Sequence, residues 1–571
     1  MINQIRWYAR RVREALQGLA RSLHQSGLSG AVRYVSALVR ARRPDRTFAS
    51  YDEWFRYHLR SRVRTAKAAA YRPGPLFSVV VPVVRWPTRH LGECVSSVES
   101  QIYHRWQLVL AVSGQVDERA LAAIRKRVER NPRIETIRLP EDAEIARVTN
   151  VGVESSSGEF LCLLDQDDVL TIDALSLASS QLGDDHGIDY LYADEDRISP
   201  YGRFVDPLFR PAPSVDLMLS TDLISSPLAV RRSLVVEVGG MREGFEGAQD
   251  HDLALRLVDA GAKAAHLGKV AIHRRITNES AAGRHKSISH DVGLKAVSES
   301  ISRRGITATA RLGPSSGQYE ILFRPPPQGS LGIVVLSNRA LADIVDQLHF
   351  VVASNLPALS VQVVVVRNMI SHDGTVADDG SEGWPEEFGD WSGSVATYRG
   401  WPNRAAALNL GTGLLGDTDY ILFMDDNVDV RSPQVLGQLL GNLDRPDVGA
   451  VGPTEIHAFA DHEHPEGIAS CLRDVTALSG SFMLTKTTLF RELGGFPHRL
   501  ENHFYDVAYC LSLRTTLGKR VVLDPLFPVD TAGSGTSKDP RISDYDNLAF
   551  THLFRALAPN SRGDRRAHWF G

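Results

Sequence analysis

The chain has 571 residues, of which 43% are hydrophobic and 23% are charged. These ordinary globular values exclude an extended disordered protein, and the length predicts two or three domains because one hydrophobic core does not grow to this size. The net charge of -4 gives no electrostatic reason to expect nucleic acid as a partner.

The cysteines predict a reducing compartment. They form no CxxC pair and mostly lie among apolar neighbours, which favours buried reduced thiols over zinc ligands or disulfides; they are Cys94, Cys162, Cys471 and Cys510. No apolar stretch approaches the roughly 20 residues that span a bilayer, and the N-terminus lacks the apolar core of a signal peptide. We therefore expect a cytoplasmic protein.

Residues 1–75 form a basic N-terminal region that we expect to be helical. Apolar residues recur there at steps of three and four, surrounded by arginines, at Ile5, Tyr8, Val12, Leu16, Leu19 and Leu23. Two interpretations of this amphipathic helix are open. It packs on the body of the protein with its basic face in solvent, or it lies on anionic lipid, which would place the protein peripherally on the inner face of the cell membrane.

From Phe77 onward the sequence alternates between strand and helix patterns. FSVVVPVV, WQLVLAV and IETIRL are typical of strands, and ECVSSVESQI and ERALAAIRKRVERN are typical of helices. This alternation predicts a parallel sheet with helices on both faces. In such sheets ligands bind at the carboxyl ends of the strands.

The stretch FLCLLDQDDVL, residues 160–170, places acids at this ligand edge. Asp165, Asp167 and Asp168 follow directly on an apolar run. A lone D-x-D is a weak signal, because this pattern also occurs in unrelated proteins. The acids therefore need further support before a role is assigned.

The chain repeats its own pattern in the same order. GIVVLSN at 332–338, VQVVVVRN and YILFMDDNV at 420–428 resemble the first two strands and the acidic stretch. Asp426 then matches Asp167, and Asp506 matches Asp250. The repeat predicts two tandem domains, 76–325 and 326–571, joined through the proline-rich FRPPPQGS at 323–330.

Several motifs together resemble a family 2 glycosyltransferase of the GT-A fold: SVVVPV, LLDQDD, YLYADEDRI, DPLFRP, EVGGMREGFEGAQDHDLALRL and VAIHRR. The likeness is greatest to tandem-domain bacterial enzymes that build O-antigen and related surface polysaccharides. It begins near Tyr51 and is strongest from Glu159 to Arg275. It implies an α/β fold with two tandem GT-A domains, each Rossmann-like with a mostly parallel sheet, after an N-terminal helical segment.

The resemblance also implies an activity, namely inverting transfer of a hexosyl or deoxyhexosyl group. The donor is a nucleotide-diphosphate sugar, the acceptor is a glycan or a lipid-linked glycan, and Mn²⁺ or Mg²⁺ assists. The residues that the resemblance assigns to the donor are Pro82, Asn150, Asp165, Asp167 and Asp168. Asp167 and His273 are assigned to the metal, although a histidine after an apolar strand is also often structural.

The resemblance assigns Asp250 as the catalytic base that takes the proton of the acceptor hydroxyl. The competing interpretation is a helix N-cap, since an aspartate there accepts hydrogen bonds from the first turn. Asp252 is expected to cap the helix or position the acceptor. Asp194 and Glu195 either line the acceptor cleft or belong to a solvated acidic loop.

The sequence also departs from the family pattern. The strand WQLVLAV lacks the usual donor-binding acid, and Arg85 stands near the expected nucleotide position. The second domain keeps Asp426 and Asp506 but has no histidine in LFPVDTAGSG, so we expect it to be degenerate. A non-catalytic tandem scaffold or glycan-binding protein that recruits partner transferases is therefore the alternative function.

Overall fold

The structure is a computed structural model that describes residues 48, 50–69, 73–84, 90–114, 116, 125–140, 143–224, 226–276, 284–352, 359–368, 384, 391–400, 403–454 and 470–531. The basic helix expected near residues 5–23 and Arg85 lie outside these residues. Within them, no helix is both long and apolar enough to cross a membrane.

The first domain follows the expected alternation of strands and helices, and in the described residues a helix precedes it. The elements in chain order are α1 (Tyr51–Ala69), β1 (Phe77–Val83), α2 (Leu91–Glu99), β2 (Trp106–Val112), β3 (Ile134–Arg138), α3 (Ile145–Glu154), β4 (Phe160–Leu163), β5 (Val169–Leu170), α4 (Ala174–Asp184), β6 (Tyr190–Ile198), β7 (Phe204–Leu208), α5 (Val215–Ser220), β8 (Ala229–Arg231), α6 (Arg232–Glu237), α7 (Gln249–Asp259), β9 (Ala264–Arg275), α8 (Arg284–Arg303), β10 (Ala308–Leu312) and β11 (Tyr319–Phe323).

The second domain begins after the proline-rich connection. Its elements are β12 (Gly329–Leu336), α9 (Leu341–Val352), β13 (Leu359–Asn368), β14 (Ser392–Tyr398), α10 (Arg404–Leu414), β15 (Tyr420–Asp425), β16 (Val428–Val430), α11 (Val435–Leu443), β17 (Val448–Gly452), β18 (Arg473–Asp474), β19 (Phe482–Lys486), α12 (Thr487–Glu492), α13 (Tyr505–Thr515), β20 (Arg520–Leu523) and β21 (Val529–Thr531).

The two large sheets share the order of their first seven strands and differ at the last one, since β5 follows β4 in the chain whereas β18 lies between β17 and β19. The strand order is β3-β2-β1-β4-β8-β6-β9-β5 in the first and β14-β13-β12-β15-β19-β17-β20-β18 in the second. In each sheet the first four strands are parallel. Strand β1 is buried along its whole length, as expected for a valine-rich strand covered by helices on both faces. The predicted α/β class with two tandem, mostly parallel sheets is confirmed.

The sheet register corrects the predicted match between Asp167 and Asp426. Arg231 and Lys486 each precede the helix that leads into a Gly-Gly pair, so they are equivalent. Arg231 pairs with Phe160, and Lys486 pairs with Tyr420.

Counting five residues from these partners places Asp425 at the position of Asp165. Asp426 then matches Gln166, and Asn427 matches Asp167. The predicted match was therefore wrong by one residue. The cause is a turn that is one residue shorter in the second domain, which a gapless comparison of the two sequences conceals.

Helix α1 packs against the first domain. Phe55 is buried, and the hydroxyl of Tyr51 donates to Asp196 Oδ2 at 2.8 Å. Arg62 donates from Nε and Nη2 to the two carboxylate oxygens of Asp173, at 3.0 and 2.9 Å. The described part of the N-terminal region is thus a docked helix.

The apolar core is continuous between the two domains. One buried cluster contains Tyr319 and Phe323 from β11 together with Leu440 and Leu443 from α11. The four cysteines are buried and free, which confirms the prediction of reduced thiols.

We expect Arg62→Met to lower the free energy of unfolding by roughly 3–5 kcal/mol, because Asp173 is fully buried and would keep an uncompensated charge. Arg56→Met is the matched control from the same helix, since its pair with Asp52 is exposed; it should cost about 1 kcal/mol or less. Urea denaturation of both variants measures the difference, and equal costs would contradict the docking described for α1.

Candidate active site

A cavity opens at the carboxyl edge of the first sheet. Its lining includes four of the predicted site residues, namely Pro82, Asp165, Asp168 and Asp250. The remaining lining residues are Ile145, Thr149, Leu163, Leu164, Ser226, Pro227, Met241, Gln249, Ile272 and Arg274. Parallel strands β1 and β4 end at this edge, which brings together residues that are distant in the sequence.

The acidic stretch forms a tight turn beside the cavity. The amide of Asp168 donates to the carbonyl of Asp165 at 3.1 Å. The carboxylate of Asp168 is buried and accepts from the amide of Arg275 at 3.1 Å. Burial raises the pKa of Asp168 to about 7, with Arg274 opposing the shift and Asp165 adding to it. Asp165 itself is 46% exposed at its side chain.

Asp167 lies in the same turn but does not line the cavity. Its backbone carbonyl accepts from Nε of Arg275 at 3.3 Å. Within this turn, the structure thus directs Asp165 and Asp168 to the cavity.

Asp250 is the second residue of helix α7. The N-cap of this helix is Ala248, which has no side chain able to cap, so the interpretation of Asp250 as an N-cap is wrong. Burial raises the pKa of Asp250 to about 7, and the negative charge of Asp165 contributes to the shift. A carboxylate with a pKa near neutrality is suited to act as a general base.

Arg274 is a cavity residue that the sequence analysis missed. Its Nε donates to Glu195 Oε2 at 2.8 Å, and its Nη2 donates to Ser226 Oγ at 2.6 Å. Its Nη1 lies 4.0 Å from Asp165 Oδ2. The signal was the second half of VAIHRR, where an arginine lies near the end of strand β9 at the ligand edge.

Asp194 and Glu195 lie on strand β6 and are buried, so the alternative of a solvated acidic loop is wrong. Asp194 Oδ1 accepts from Nε2 of His266 at 2.7 Å, and Glu195 Oε2 accepts from Nη2 of Arg210 at 2.7 Å. Burial alone would raise the pKa of Glu195, but Arg274 and Arg210 hold that pKa below its ordinary value. Glu195 therefore reaches the cavity only through Arg274.

Asp252 is fully buried and lies between two arginines. It accepts from Nε of Arg242 at 3.0 Å and from Nε of Arg256 at 2.9 Å. The pair with Arg242 attaches helix α7 to the loop before it, whereas Arg256 lies in α7 itself. A role in acceptor binding remains a prediction for Asp252, Asp194 and Glu195.

Asn150 forms a clamp on the chain after the first Gly-Gly pair. Its side chain donates to the carbonyl of Met241 and accepts from the amide of Met241, both at 2.8 Å. Asn409 makes the same two bonds with Phe496 in the second domain, at 2.7 and 2.9 Å. The repeated clamp gives Asn150 a structural role beside the cavity, and its predicted contact with the donor remains a prediction.

His273 does not line this cavity. Its Nδ1 donates to Asp196 Oδ1, and its ring stacks on Phe204 with the centroids 4.2 Å apart. It lines a separate cavity with Leu59 and Arg275. The assignment of His273 to a metal remains a prediction that this geometry does not support.

The acidic turn fits a divalent cation better than His273 does. Among the described residues, no group of three histidine, cysteine or acidic side chains is placed to hold a metal by itself. Asp165 and Asp168 nevertheless offer carboxylate oxygens in one cavity, and Mg²⁺ is usually bound by one or two carboxylates together with phosphate oxygens of the substrate.

In the second domain, protein side chains occupy the position that is equivalent to the cavity of the first domain. Arg404 stands where Ile145 lines the first cavity, since both precede the clamp asparagine by five residues. Its Nη2 donates to Asp425 Oδ1, and its Nε donates to the hydroxyl of Tyr505 at 3.4 Å. Ser481 Oγ donates to the other oxygen of Asp425 at 2.9 Å.

The acids Asp426 and Asp506 are also engaged. Asp426 Oδ2 accepts from Ser337 Oγ at 2.6 Å. Asp506 is buried and accepts from the amides of Gly480 and Val507, both at 2.8 Å. The arrangement in the second domain therefore stabilises the fold and leaves its acids bonded within the protein.

Residues 78–191 match the family model described as Glycosyl transferase family 2. The chain contains a family 2 glycosyltransferase domain. The matched residues include the turn at 165–168 and end before Asp250 and Arg274. The places of these last two residues in the site therefore come from the cavity alone.

Two named proteins are similar to larger parts of the chain. The O-antigen biosynthesis protein RfbC of Myxococcus xanthus is 30% identical over 514 residues, 83% of this chain and 39% of that protein. The hyaluronan synthase of Pasteurella multocida is 25% identical over 237 residues, 41% of this chain and 24% of that protein. This chain therefore spans less than half the length of either relative.

Among solved structures, S. aureus TarS 1-349 in complex with UDP-GlcNAc is 17% identical. The match covers 40% of this chain and 72% of that chain, with a TM-score of 0.32. A score this low supports no comparison between the two sites.

We expect Asp250→Asn to raise the melting temperature at pH 8 and to raise it less at pH 5. The pKa of Asp250 is about 7 in the folded chain and about 4 in an unfolded chain, so ionisation favours unfolding as the pH rises through this window. Asparagine removes that penalty.

The control for this prediction is Asp417→Asn, whose side chain is fully exposed and whose effect should be the same at both pH values. Scanning calorimetry at the two pH values measures the difference. If the melting temperatures of Asp250→Asn and the unmodified chain differ by the same amount at both pH values, the raised pKa of Asp250 is contradicted.

Proposed function

We propose that the first domain is an inverting, metal-dependent glycosyltransferase. It moves a hexosyl or deoxyhexosyl group from a nucleotide-diphosphate sugar to a glycan or lipid-linked acceptor in the synthesis of a bacterial surface polysaccharide. The observation that carries the proposal is the shared cavity of Asp165, Asp168, Asp250 and Arg274 at the ligand edge of the sheet. The family 2 domain and the similarity to a protein named for O-antigen biosynthesis support it.

Asp250 is the proposed base. Its carboxylate takes the proton of an acceptor hydroxyl while the oxygen of that hydroxyl attacks the anomeric carbon. The bond between this carbon and the diphosphate oxygen breaks on the opposite face, and the diphosphate leaves with the electron pair. The configuration at the anomeric carbon is inverted because attack and departure take place on opposite faces.

The departing diphosphate carries negative charge that needs a cation. We propose that Asp165 and Asp168, which line the cavity, and Asp167 in the same turn would hold Mn²⁺ or Mg²⁺ together with phosphate oxygens of the donor, and that the metal would supply Lewis-acid stabilisation of the leaving group. Arg274 adds a guanidinium whose direction is fixed by Glu195 and Ser226, and arginine binds phosphate oxygens through paired hydrogen bonds. Pro82 forms the wall of the cavity at the end of β1.

The alternative function, a non-catalytic scaffold or glycan-binding module, describes the second domain better than the first. In the second domain Arg404 bonds to Asp425, and the carboxylate of Asp506 accepts from two backbone amides. We therefore propose one catalytic and one non-catalytic domain in the same chain. A cytoplasmic location, at the inner face of the membrane where lipid-linked acceptors are found, belongs to the same proposal.

The two matched aspartates test the division of labour. Asp250→Asn should reduce sugar transfer by roughly 100-fold or more because it removes the base. Asp506→Asn should leave transfer within about twofold of the unmodified chain, because the carboxylate of Asp506 accepts from the backbone amides of Gly480 and Val507. Transfer to an acceptor glycan, followed with radiolabelled donor, measures both. A reversed result would place the active site in the second domain, and two silent variants would favour the scaffold.

The metal proposal predicts that Asp167→Ala abolishes binding of the nucleotide that depends on Mn²⁺, while the fold stays intact. Asn427→Ala is the matched control, because Asn427 occupies the same position in the second domain. A thermal-shift titration with nucleotide, with and without Mn²⁺, reads the binding, since a ligand raises stability by RT ln(1 + [L]/Kd). Unchanged Mn²⁺-dependent binding in Asp167→Ala would refute the role of Asp167.

A further inference from the structure

Helix α5 of the first domain lies against the second domain. Its Asp216 is fully buried and accepts from Nη1 and Nη2 of Arg445 at 2.6 and 2.9 Å. Nη2 of Arg520 donates to the same carboxylate at 2.5 Å. The residue before the helix, Ser214, accepts from the amide of Asp474 at 3.3 Å. All four of these hydrogen bonds come from the second domain.

The charge of Asp216 depends on these arginines. Burial alone would raise the pKa of Asp216, but Arg445 and Arg520 hold that pKa well below its ordinary value. A buried carboxylate without partners is strongly destabilising, so the two guanidiniums from the second domain stabilise the position of α5.

The same helix contacts the helix that carries the proposed base. The carbonyl of Met218 in α5 accepts from Nε2 of His251 in α7 at 2.6 Å. His251 is buried, its ring stacks on Tyr319, and it directly precedes Asp252 and follows Asp250. A displacement of α5 therefore displaces the backbone next to the base.

We propose that the second domain is a positioning partner for the first active site, with Arg445 and Arg520 acting through Asp216, Met218 and His251 on Asp250. The proposal rests on the proposed function for the role of Asp250. It gives the second domain a task that does not require chemistry in its own site, where Arg404 bonds to Asp425.

The test uses substitutions that keep the charge of the interface. Arg445→Lys and Arg520→Lys preserve a cation beside Asp216 but lose the forked geometry of the guanidinium. Arg491→Lys is the matched control, since Arg491 pairs with Asp417 in the second domain at an exposed site. We expect kcat to fall about 10-fold or more in the interface variants, because small displacements of reacting groups are costly. The dissociation constant of the donor should stay within twofold, since the acidic turn follows β4 and not α5.

Hydrogen exchange separates this inference from the proposed function. Amides of α7 should exchange faster in Arg445→Lys than in Arg491→Lys, whether or not the chain transfers sugar. If the unmodified chain has no transfer activity, the proposed function is refuted. The exchange data still test whether the interface of the second domain stabilises helix α7. The inference is overturned if the folded double variant, Arg445→Lys with Arg520→Lys, keeps an unchanged kcat. It is also overturned if hydrogen exchange in α7 is unchanged, or if kcat and the affinity for the donor fall in parallel.

Discussion

The carboxylates of Asp165, Asp168 and Asp250 share one cavity with the guanidinium of Arg274, and the organisation of the first domain depends on this crowding of charge. Negative groups close together in a buried space raise one another's pKa and destabilise the folded chain. Burial, with a smaller contribution from the charge of Asp165, raises the pKa of Asp168 and of Asp250 to about 7. The surrounding structure sustains the crowding, because Glu195 and Ser226 hold Arg274 in place and Arg275 donates a backbone amide to Asp168. A site that binds a cation and a diphosphate would recover part of the cost of this crowding when it is occupied.

The second domain has a similar arrangement of strands and helices but lacks this crowding of negative charge. The first seven strands of its sheet have the same order, and its clamp asparagine makes the same bonds. An arginine, Arg404, replaces an apolar wall residue and pairs with Asp425, so the charge is neutralised within the protein. The comparison indicates that the packing of sheets and helices does not require the chemistry of the site. It also leaves a large folded domain whose partly buried arginines, Arg445 and Arg520, support a helix of its neighbour.

Much of the fold could be predicted from the sequence, since valine-rich strands and their repetition are local patterns. The positions of Asp165 and Asp250 could also be predicted, because each belongs to a distinctive motif. The sequence could not show that the turn after β15 is one residue shorter, since similar letters align without a gap. Nor could it show that His273 pairs with Asp196, because this bond joins neighbouring strands that are 77 residues apart. The role of Arg274 was hidden for the same reason, as the direction of its side chain depends on where β9 ends.

The most direct test of the account is the number of nucleotide sites per chain. Isothermal titration of the full chain, in Mn²⁺, with the nucleoside diphosphate that stabilises it most should give one site. That site should be lost in Asp165→Ala and retained in Asp425→Ala, the substitution at the matching position of the second domain. Two sites per chain, or one site that is lost in Asp425→Ala and retained in Asp165→Ala, would contradict the assignment of donor binding to the first domain.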